Sequence, residues 1–351
     1  MRVAAASRGR SVLANELPGV ARSAGAILVA LIAAGLLMLV IGVNPINAYE
    51  AMIHGAFGSP ANLSDTIIKT VPIGLIAIGV ALTFKCGLWN AGGEGQLYFG
   101  AVAAVIIGIE LDGPPALVVL AEFAGAVAAG ALAGLIPAIL KIRYGANEIL
   151  VTLMMNFIAI LTAGYVISVA YTATFTPATV RINESGELPW WAIAGLRFHV
   201  GAVFVVVLTI LVYVLMTRTT FGYRVRAIGS NIDAARNAGV NVGRTLTTSF
   251  LIAGGLAGLA GMVQVAAVHH NLLDGFSPGF GFTALVAALL GKLHAVGAFV
   301  AAFAFSALLV GGQAMQRAEG IQFSLVFVIQ GLILIFLLGL RVVGRESTRV
   351  T

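Results

Sequence analysis

Long apolar runs, each closed by a few polar or charged residues, recur along the whole chain. The first run, Ser23 to Val43, is long enough as a helix to cross a hydrocarbon layer of about 30 Å. Of the 351 residues, 60% are hydrophobic and 10% are charged, whereas a soluble domain carries about 25% charged residues. This pattern predicts an all-α polytopic membrane protein.

Counting the apolar runs predicts about ten transmembrane helices. Residues 44–64 are expected to form a loop, and Ser64 is expected to cap the second helix. The run at 280–291 is short for a crossing, so it either spans the bilayer or re-enters it. The predicted spans are 23–43, 65–84, 97–109, 115–140, 147–170, 199–216, 246–268, 280–291, 295–310 and 323–340.

Basic residues predict the orientation. Most of the 20 Lys and Arg residues fall on segments that this count places on one side, and that side is the cytoplasmic one by the positive-inside rule. Both termini are then cytoplasmic, with an arm at 1–22, a transmembrane domain at 23–341 and a tail at 342–351. Because the charges are scattered over loops, the net charge of +6 does not indicate nucleic-acid binding.

One polar stretch, Phe84 to Gln96, interrupts the apolar pattern. Its four glycines disfavour a continuous helix, since each costs about 1 kcal/mol relative to Ala in a helix interior. A break at membrane depth must face protein or water, and transporters place binding groups at such breaks. The alternative is a cytoplasmic loop with a tight turn.

A second break is predicted near Phe276 to Thr283, just before the short run at 280–291. Two interrupted hydrophobic segments, one in each half of a transporter, indicate a central site built from an internal repeat. The sequences of the two segments are only weakly similar. The repeat is therefore a hypothesis.

The extended polar segment at 217–247 contains the pattern of a short capped helix. Asn231 is placed to cap it, Asp233 lies in its first turn, and Gly239 is able to end it in the left-handed conformation. Such a helix on a loop is either a docking element or an ordinary solvated connector.

Two further polar residues lie within apolar runs. Glu122 is costly in lipid, and the interpretation we favour is a hydrogen-bonded structural carboxyl facing a neighbouring helix, with a proton site as the alternative. Asn156 either bonds a neighbouring helix or lines a pathway.

Several chemistries are not indicated. The single cysteine, Cys86, excludes an internal disulfide, and the adjacent His269 and His270 point in different directions on a helix, which disfavours a metal site. The chain has no nucleotide-binding P-loop and no recognisable catalytic arrangement. An enzyme is disfavoured, and no cofactor is expected.

Four stretches together resemble the inner-membrane permease subunits of bacterial ABC importers. They are Asn90–Gln96, Gly145–Asn156, Arg226–Gly239 and Gly279–Gly291. The sequence is most similar to the nucleoside and simple-sugar subgroup, which is related to the branched-chain amino-acid permeases. The likeness covers nearly the whole chain in the same order.

The resemblance implies a mechanism and a set of partners. The loop at 217–247 would seat its short helix on a separate ABC ATPase, two identical or paralogous permease subunits would enclose the path, and an extracytoplasmic binding protein would deliver the substrate. The alternatives are an ion-coupled secondary transporter using Glu94 or Glu122, a permease for branched-chain amino acids, and a scaffold or membrane enzyme without a transport path.

The residues expected to line the substrate path are Trp89, Asn90, Glu94, Gln96, Asn156 and Phe280. Those expected to couple to the ATPase are Arg226, Gly229, Asn231, Asp233, Ala234, Ala235 and Gly239.

Overall fold

The computed structural model describes residues 25 and 27–346, with side chains as far as 336. Of the predicted segments, the arm at 1–22 and the end of the tail at 347–351 lie outside the described residues. Within the described part the helices are α1 (Ile27–Val40), α2 (Pro45–Phe57), α3 (Pro60–Lys85), α4 (Gly93–Glu110), α5 (Pro115–Tyr144), α6 (Glu148–Tyr165), α7 (Gly201–Arg218), α8 (Thr220–Ser230), α9 (Ile232–Asn237), α10 (Val242–Val263), α11 (Phe280–Leu290), α12 (Ala295–Glu319) and α13 (Ser324–Glu346).

Shorter elements complete the described chain. Helices α6 and α10 continue as π-helical turns, and a short antiparallel hairpin with a 3-10 turn lies between α6 and α7. These elements are Val166–Ala170 and Gln264–His269 (π), Glu184–Gly186 (3-10), β1 (Trp190–Ile193) and β2 (Leu196–His199).

Six described helices are long and apolar enough to cross a membrane, which supports a mostly helical, multi-pass protein. Several of the other predicted spans correspond to shorter apolar helices, so the structure does not confirm a count of ten. The six are Pro60–Lys85, Pro115–Tyr144, Glu148–Ala170, Gly201–Arg218, Val242–His269 and Ala295–Glu319.

The predicted loop at 44–64 was wrong, because it contains α2 and the first turn of α3. The cap of α3 is Ser59, whose side chain accepts a hydrogen bond from the backbone of Asn62. Ser64 lies inside the helix, where it donates to the carbonyl of Pro60 and accepts from the backbone of Arg197 in β2. A proline at the first helical position follows Ser59, and this start signal was overlooked.

The chain divides into two compact units. In the unit formed by Met1–Ala56 with Leu308–Thr351, the described part of α2 packs closely on α12. A β-carbon on Gly311 would lie 2.3 Å from the carbonyl oxygen of Met52. The tyrosine hydroxyl of Tyr49 donates to the carbonyl of Leu31 in α1. Small residues therefore let these helices approach backbone to backbone.

The unit Phe57–Ala307 has its core where α4, α5 and α10 cross. A β-carbon on Gly258 would lie 2.1 Å from the carbonyl oxygen of Ala126, and one on Gly130 would lie 2.2 Å from that of Gly254. On α4, a β-carbon added to Gly100 would lie 2.2 Å from the carbonyl oxygen of the same Gly258 of α10. Glycines of α10 therefore form a surface on which α4 and α5 pack backbone to backbone.

Helix α3 runs from one end of this unit to the other. Near its first residues Ser64 bonds to β2, and at its last residue Lys85 contacts Gly229 of α8. A helix of this length extends about 39 Å at 1.5 Å per residue. The hairpin β1–β2 and the pair α8–α9 therefore lie at opposite ends of the unit.

The prediction that Glu122 of α5 is a hydrogen-bonded carboxyl was wrong. It is fully buried, and neither carboxyl oxygen has a hydrogen-bond partner among the described residues. Its Oε1 atom lies against Gly108 of α4 and Gly186 of the 3-10 turn, where added β-carbons would come within 2.4 and 2.5 Å of it. The two glycines thus leave space for the carboxyl but form no hydrogen bond with it.

His199, at the end of β2, is expected to make the fold sensitive to acid. Its buried Nδ1 accepts a hydrogen bond from the backbone of Gly201, and burial lowers the pKa of His199 from 6.5 to about 4. As the pH falls below 6.5 the unfolded chain binds the proton first, so this residue destabilises the folded state progressively down to pH 4. Each pH unit corresponds to about 1.4 kcal/mol.

The substitution His199→Asn tests this effect, because the amide oxygen of Asn replaces the Nδ1 acceptor and does not titrate. We expect wild type to lose about 3 kcal/mol more unfolding free energy than the variant between pH 6.5 and 4. Thermal unfolding of the purified protein across this pH range measures the difference. Parallel pH curves for the two proteins would contradict the assignment.

Candidate functional site

The stretch between α3 and α4 turns back along α3. Gly87, at a φ of +80°, reverses the chain after the helix, as the glycine content predicted. Helix α4 then begins beside Ile76, because a β-carbon on Gly93 would lie 2.6 Å from the Ile76 side chain. Ile76 lies nine residues before the end of α3, which is about 14 Å along the helix. The stretch therefore re-enters the unit.

Helix α11 begins at the same level as α4. A β-carbon on Gly281 would lie 2.3 Å from the backbone nitrogen of Glu94. From this point α4 runs toward the hairpin end, where its last turn bonds to Asn183. Helix α11 runs toward the other end, where His294 contacts Tyr213 in the last third of α7. The two helices thus start together and diverge.

Glu94 joins the two helix starts. Its carboxyl Oε2 accepts a hydrogen bond of 2.6 Å from the backbone N–H of Gly281, in the first turn of α11. The residue preceding α11, Gly279, offers no side-chain cap. Glu94 also lies in the first turn of its own helix, so one carboxyl serves the positive ends of two helices.

A group of buried amides holds the re-entrant stretch in place. The side-chain amides of Asn90 and Gln96 pair with each other at 3.3 and 3.4 Å, and Asn90 Oδ1 accepts from the backbone of Gly92. Asn156 of α6 bonds the stretch twice, accepting from the backbone of Gly95 at 2.7 Å and donating to the carbonyl of Ala91 at 3.0 Å. These bonds connect α6 to the start of α4.

The structure brings five of the six predicted path residues into one buried region. Asn90, Glu94, Gln96, Asn156 and Phe280 are each at most 4% exposed. Asn90 and Gln96 bond each other, and Asn156 and Glu94 bond the backbone at the two helix starts, so these residues form part of the junction of the broken helices. Of the two alternatives given for Asn156, the structure shows the bond to a neighbouring helix, at Gly95 of α4.

Trp89 is the exception among the predicted path residues. It is 48% exposed, and its ring packs against Phe84 in the last turn of α3 with centroids 4.7 Å apart. Phe84 immediately precedes Lys85, which contacts α8. Trp89 therefore lies toward the α8–α9 end of the unit and outside the buried junction.

The sequence interpretation missed three residues of the junction. Thr152 is fully buried and its hydroxyl accepts from the backbone of Ala91 at 3.3 Å. It precedes Asn156 by one helical turn, and this spacing was available as a signal. Ser277 accepts from the backbone of Phe280, and Gly281 provides the close approach to α4.

The predicted capped helix in the polar segment is confirmed as α9. Asn231 Oδ1 accepts from the backbone of Asp233 and Ala234, and Gly239 has a φ of +80°. Asp233 pairs with Arg236 at 3.3 Å, but both side chains are exposed, so the pair contributes little to stability. Ala235 is the buried residue of the helix, and Ala234 faces outward.

Helix α8 supports α9 and shares its cap. Asn231 ends α8 and begins α9, so the two helices are joined without a linker. The guanidinium of Arg226 donates to the carbonyl of Met216 at the end of α7. Arg226 therefore ties α8 to the membrane-spanning part.

Long apolar helices, a buried junction of two helix starts and an exposed helical element at one end define a multi-pass membrane protein of the transporter class. Residues 62–338 match the protein family described as the permease component of branched-chain amino acid transport systems. The chain belongs to this family. It is thus a transport component and not an enzyme, and the ATPase is a separate protein.

Relatives extend the likeness over most of the chain. The guanosine ABC transporter permease protein NupP of Bacillus subtilis is 34% identical, over 89% of this chain and 90% of its own length. The glucose ABC transporter permease protein TsgB13 of Haloferax volcanii is 33% identical, over 89% and 85%. The nucleoside ABC transporter permease protein NupB of Lactococcus lactis is 30% identical, over 86% of each chain.

Proposed function

We propose that this chain is the permease subunit of an ATP-driven importer for nucleosides or simple sugars. The observation that carries the proposal is the identity of 34% and 33% with permeases named for guanosine and for glucose, over nearly nine tenths of the chain. Two such subunits, identical or paralogous, lie in the cytoplasmic membrane with both termini inside. An extracytoplasmic binding protein supplies the substrate.

The buried junction supports a transport role for the predicted path. Two helices that start at one level and run to opposite ends place two sets of backbone N–H donors at the same point, as in transporters built from broken helices. Asn90, Gln96 and Asn156 supply amides, and Phe280 supplies an aromatic ring beside them. Amide groups and an aromatic face suit the hydroxyls of a sugar and the edge and face of a base.

A competition uptake assay tests the substrate class. Cells or proteoliposomes carrying the complete transporter are given a labelled nucleoside, a labelled hexose and a labelled branched-chain amino acid, each against an excess of the other two. Saturable uptake of the nucleoside or the hexose is expected. Uptake of the amino acid alone would overturn the substrate assignment and favour a permease for branched-chain amino acids.

We further propose that α8 and α9 form the docking element for the ATPase. The element is exposed, capped at both ends and anchored to α7 through Arg226. It lies at the end of α3 opposite the hairpin, which the proposed orientation makes the cytoplasmic end. Its surface includes Asn231, Asp233 and Gly239. The exposed Ala234 contacts the partner, and the buried Ala235 packs the element against the permease.

The substitution Ala234→Arg tests this docking role. Ala234 is exposed, so a long charged side chain is tolerated by the permease and obstructs a partner. We expect co-purification of the ATPase to fall at least tenfold. Ala192→Arg is the matched control, since Ala192 is exposed on the hairpin at the other end. Equal retention of the ATPase by both variants would contradict the docking surface.

The same complexes distinguish an importer from an ion-coupled transporter. We expect uptake in proteoliposomes to require ATP and the ATPase. Uptake driven by a pH gradient in vesicles without any ATPase would overturn the proposed function.

A further inference from the structure

The last residues of α8 touch the end of α3 backbone to backbone. A β-carbon on Gly229 would lie 2.0 Å from the carbonyl oxygen of Lys85 and 3.0 Å from its carbonyl carbon. No side chain fits into this space, so glycine is required for the contact. Gly229 immediately precedes Ser230 and Asn231, where α8 ends and α9 is capped.

The same point is where the re-entrant stretch leaves α3. Gly87 is in the left-handed conformation, and a β-carbon added to it would lie 3.8 Å from the Cα atom of Gly229. The following residue, Leu88, is 3% exposed. Two residues further along the chain, Asn90 pairs with Gln96 in the first turn of α4, and Glu94 in the same turn accepts from Gly281 in the first turn of α11. Only three residues, Gly87, the buried Leu88 and the exposed Trp89, separate this contact from Asn90 of the junction.

We propose that Gly229 is a positioning residue, which transmits displacement of α8 and α9 through the end of α3 and the re-entrant stretch to the junction of α4 and α11. This inference rests on the proposed function, because it assumes that a partner moves the α8–α9 element. A packed backbone contact transmits a push well, since close-packed atoms resist compression. The contact has no flexible side chain that absorbs the movement.

Labelling at the start of α11 tests the proposal. Phe282 is 49% exposed, and a cysteine replacing it in a Cys86→Ser background reports on the position of this helix. In the purified complex of permease, ATPase and binding protein, the maleimide reaction rate at position 282 is compared with and without trapped ATP. We expect a change of at least threefold in the otherwise unaltered protein and loss of that change in Gly229→Ala.

Two glycine substitutions serve as controls. Gly164 of α6 has no atom within 4 Å of an added β-carbon, and a β-carbon on Gly243 of α10 would make only ordinary contacts, the nearest at 3.4 Å from the Ile142 side chain. Gly164→Ala and Gly243→Ala are expected to keep the ATP-dependent change. If Gly229→Ala also keeps it, the transmission role is overturned. Loss of the change in Gly229→Ala alone, with the ATPase still bound, supports it.

If Gly229→Ala fails to fold, hydrogen exchange of the complex with unaltered permease tests the proposal instead. ATP is expected to alter exchange in residues 226–231 and in residues 85–96 together. A change confined to 226–231 overturns the transmission role while leaving the docking role intact. No change in either segment, with no ATPase bound, contradicts the proposed function and the inference that rests on it.

Discussion

Replacing Glu94 by leucine is expected to abolish transport and to lower the stability of the protein by about 1–3 kcal/mol, because it leaves the buried backbone N–H of Gly281 without its acceptor. Glu94 Oε2 is the side-chain acceptor for the N–H of Gly281 at 2.6 Å, and the residue is 4% exposed. Leucine has a similar size and no acceptor. The first turn of α11 would then lose its side-chain partner at a buried position.

Glu94→Gln separates the hydrogen bond from the charge. Glutamine keeps a carbonyl oxygen for the Gly281 N–H but removes any negative charge at the two helix starts. We expect it to retain most of the stability, with a loss of about 1 kcal/mol from the helix-dipole interaction. Thermal unfolding in detergent and uptake in proteoliposomes measure both effects. A leucine variant as stable as the glutamine variant would contradict the shared-cap role.

The second large effect is expected at Gly258, where three helices meet. A β-carbon there would lie 2.1 Å from the Ala126 carbonyl oxygen and 3.1 Å from Cα of Gly130. Since the obstructing atoms belong to the backbone, Gly258→Ala must separate α10 from α5. Overpacking of a close-packed core costs about 1–3 kcal/mol or more, and two helices are displaced here.

Gly331→Ala provides the comparison for Gly258→Ala. Gly331 lies in the apolar helix α13, and an added β-carbon would meet no atom within 4 Å. The helix propensity of alanine favours this change by about 1 kcal/mol. We therefore expect Gly331→Ala to match or exceed wild type in thermal unfolding, and Gly258→Ala to unfold at least 5 °C lower. Similar midpoints for both variants would show that the helix crossing is looser than the structure indicates.

The junction also bears on the role of the glycines around Glu94. Gly281 must approach the backbone of α4, whereas Gly87 must reverse the chain after α3. These are different physical requirements, one for space and one for a positive φ. The sequence alone presents both as glycines that interrupt an apolar pattern.

The sequence by itself determined the membrane class, the chain breaks and the capped helix α9, because these depend on local properties. Apolar run length sets whether a helix crosses a bilayer, glycine content disfavours a continuous helix, and Asn231 caps the residues that directly follow it. The start of α3 at Pro60 was also a local signal, and it was misread in favour of Ser64.

The tertiary structure alone decided what the polar residues contact. Glu94 and Gly281 are separated by 187 positions, and no local pattern indicates that the carboxyl of one caps the helix of the other. The same holds for Glu122, whose two glycine neighbours come from α4 and from the 3-10 turn, and for Trp89, which lies outside the junction. Burial and pairing of these groups depend on which helices pack together, and that packing involves the whole fold.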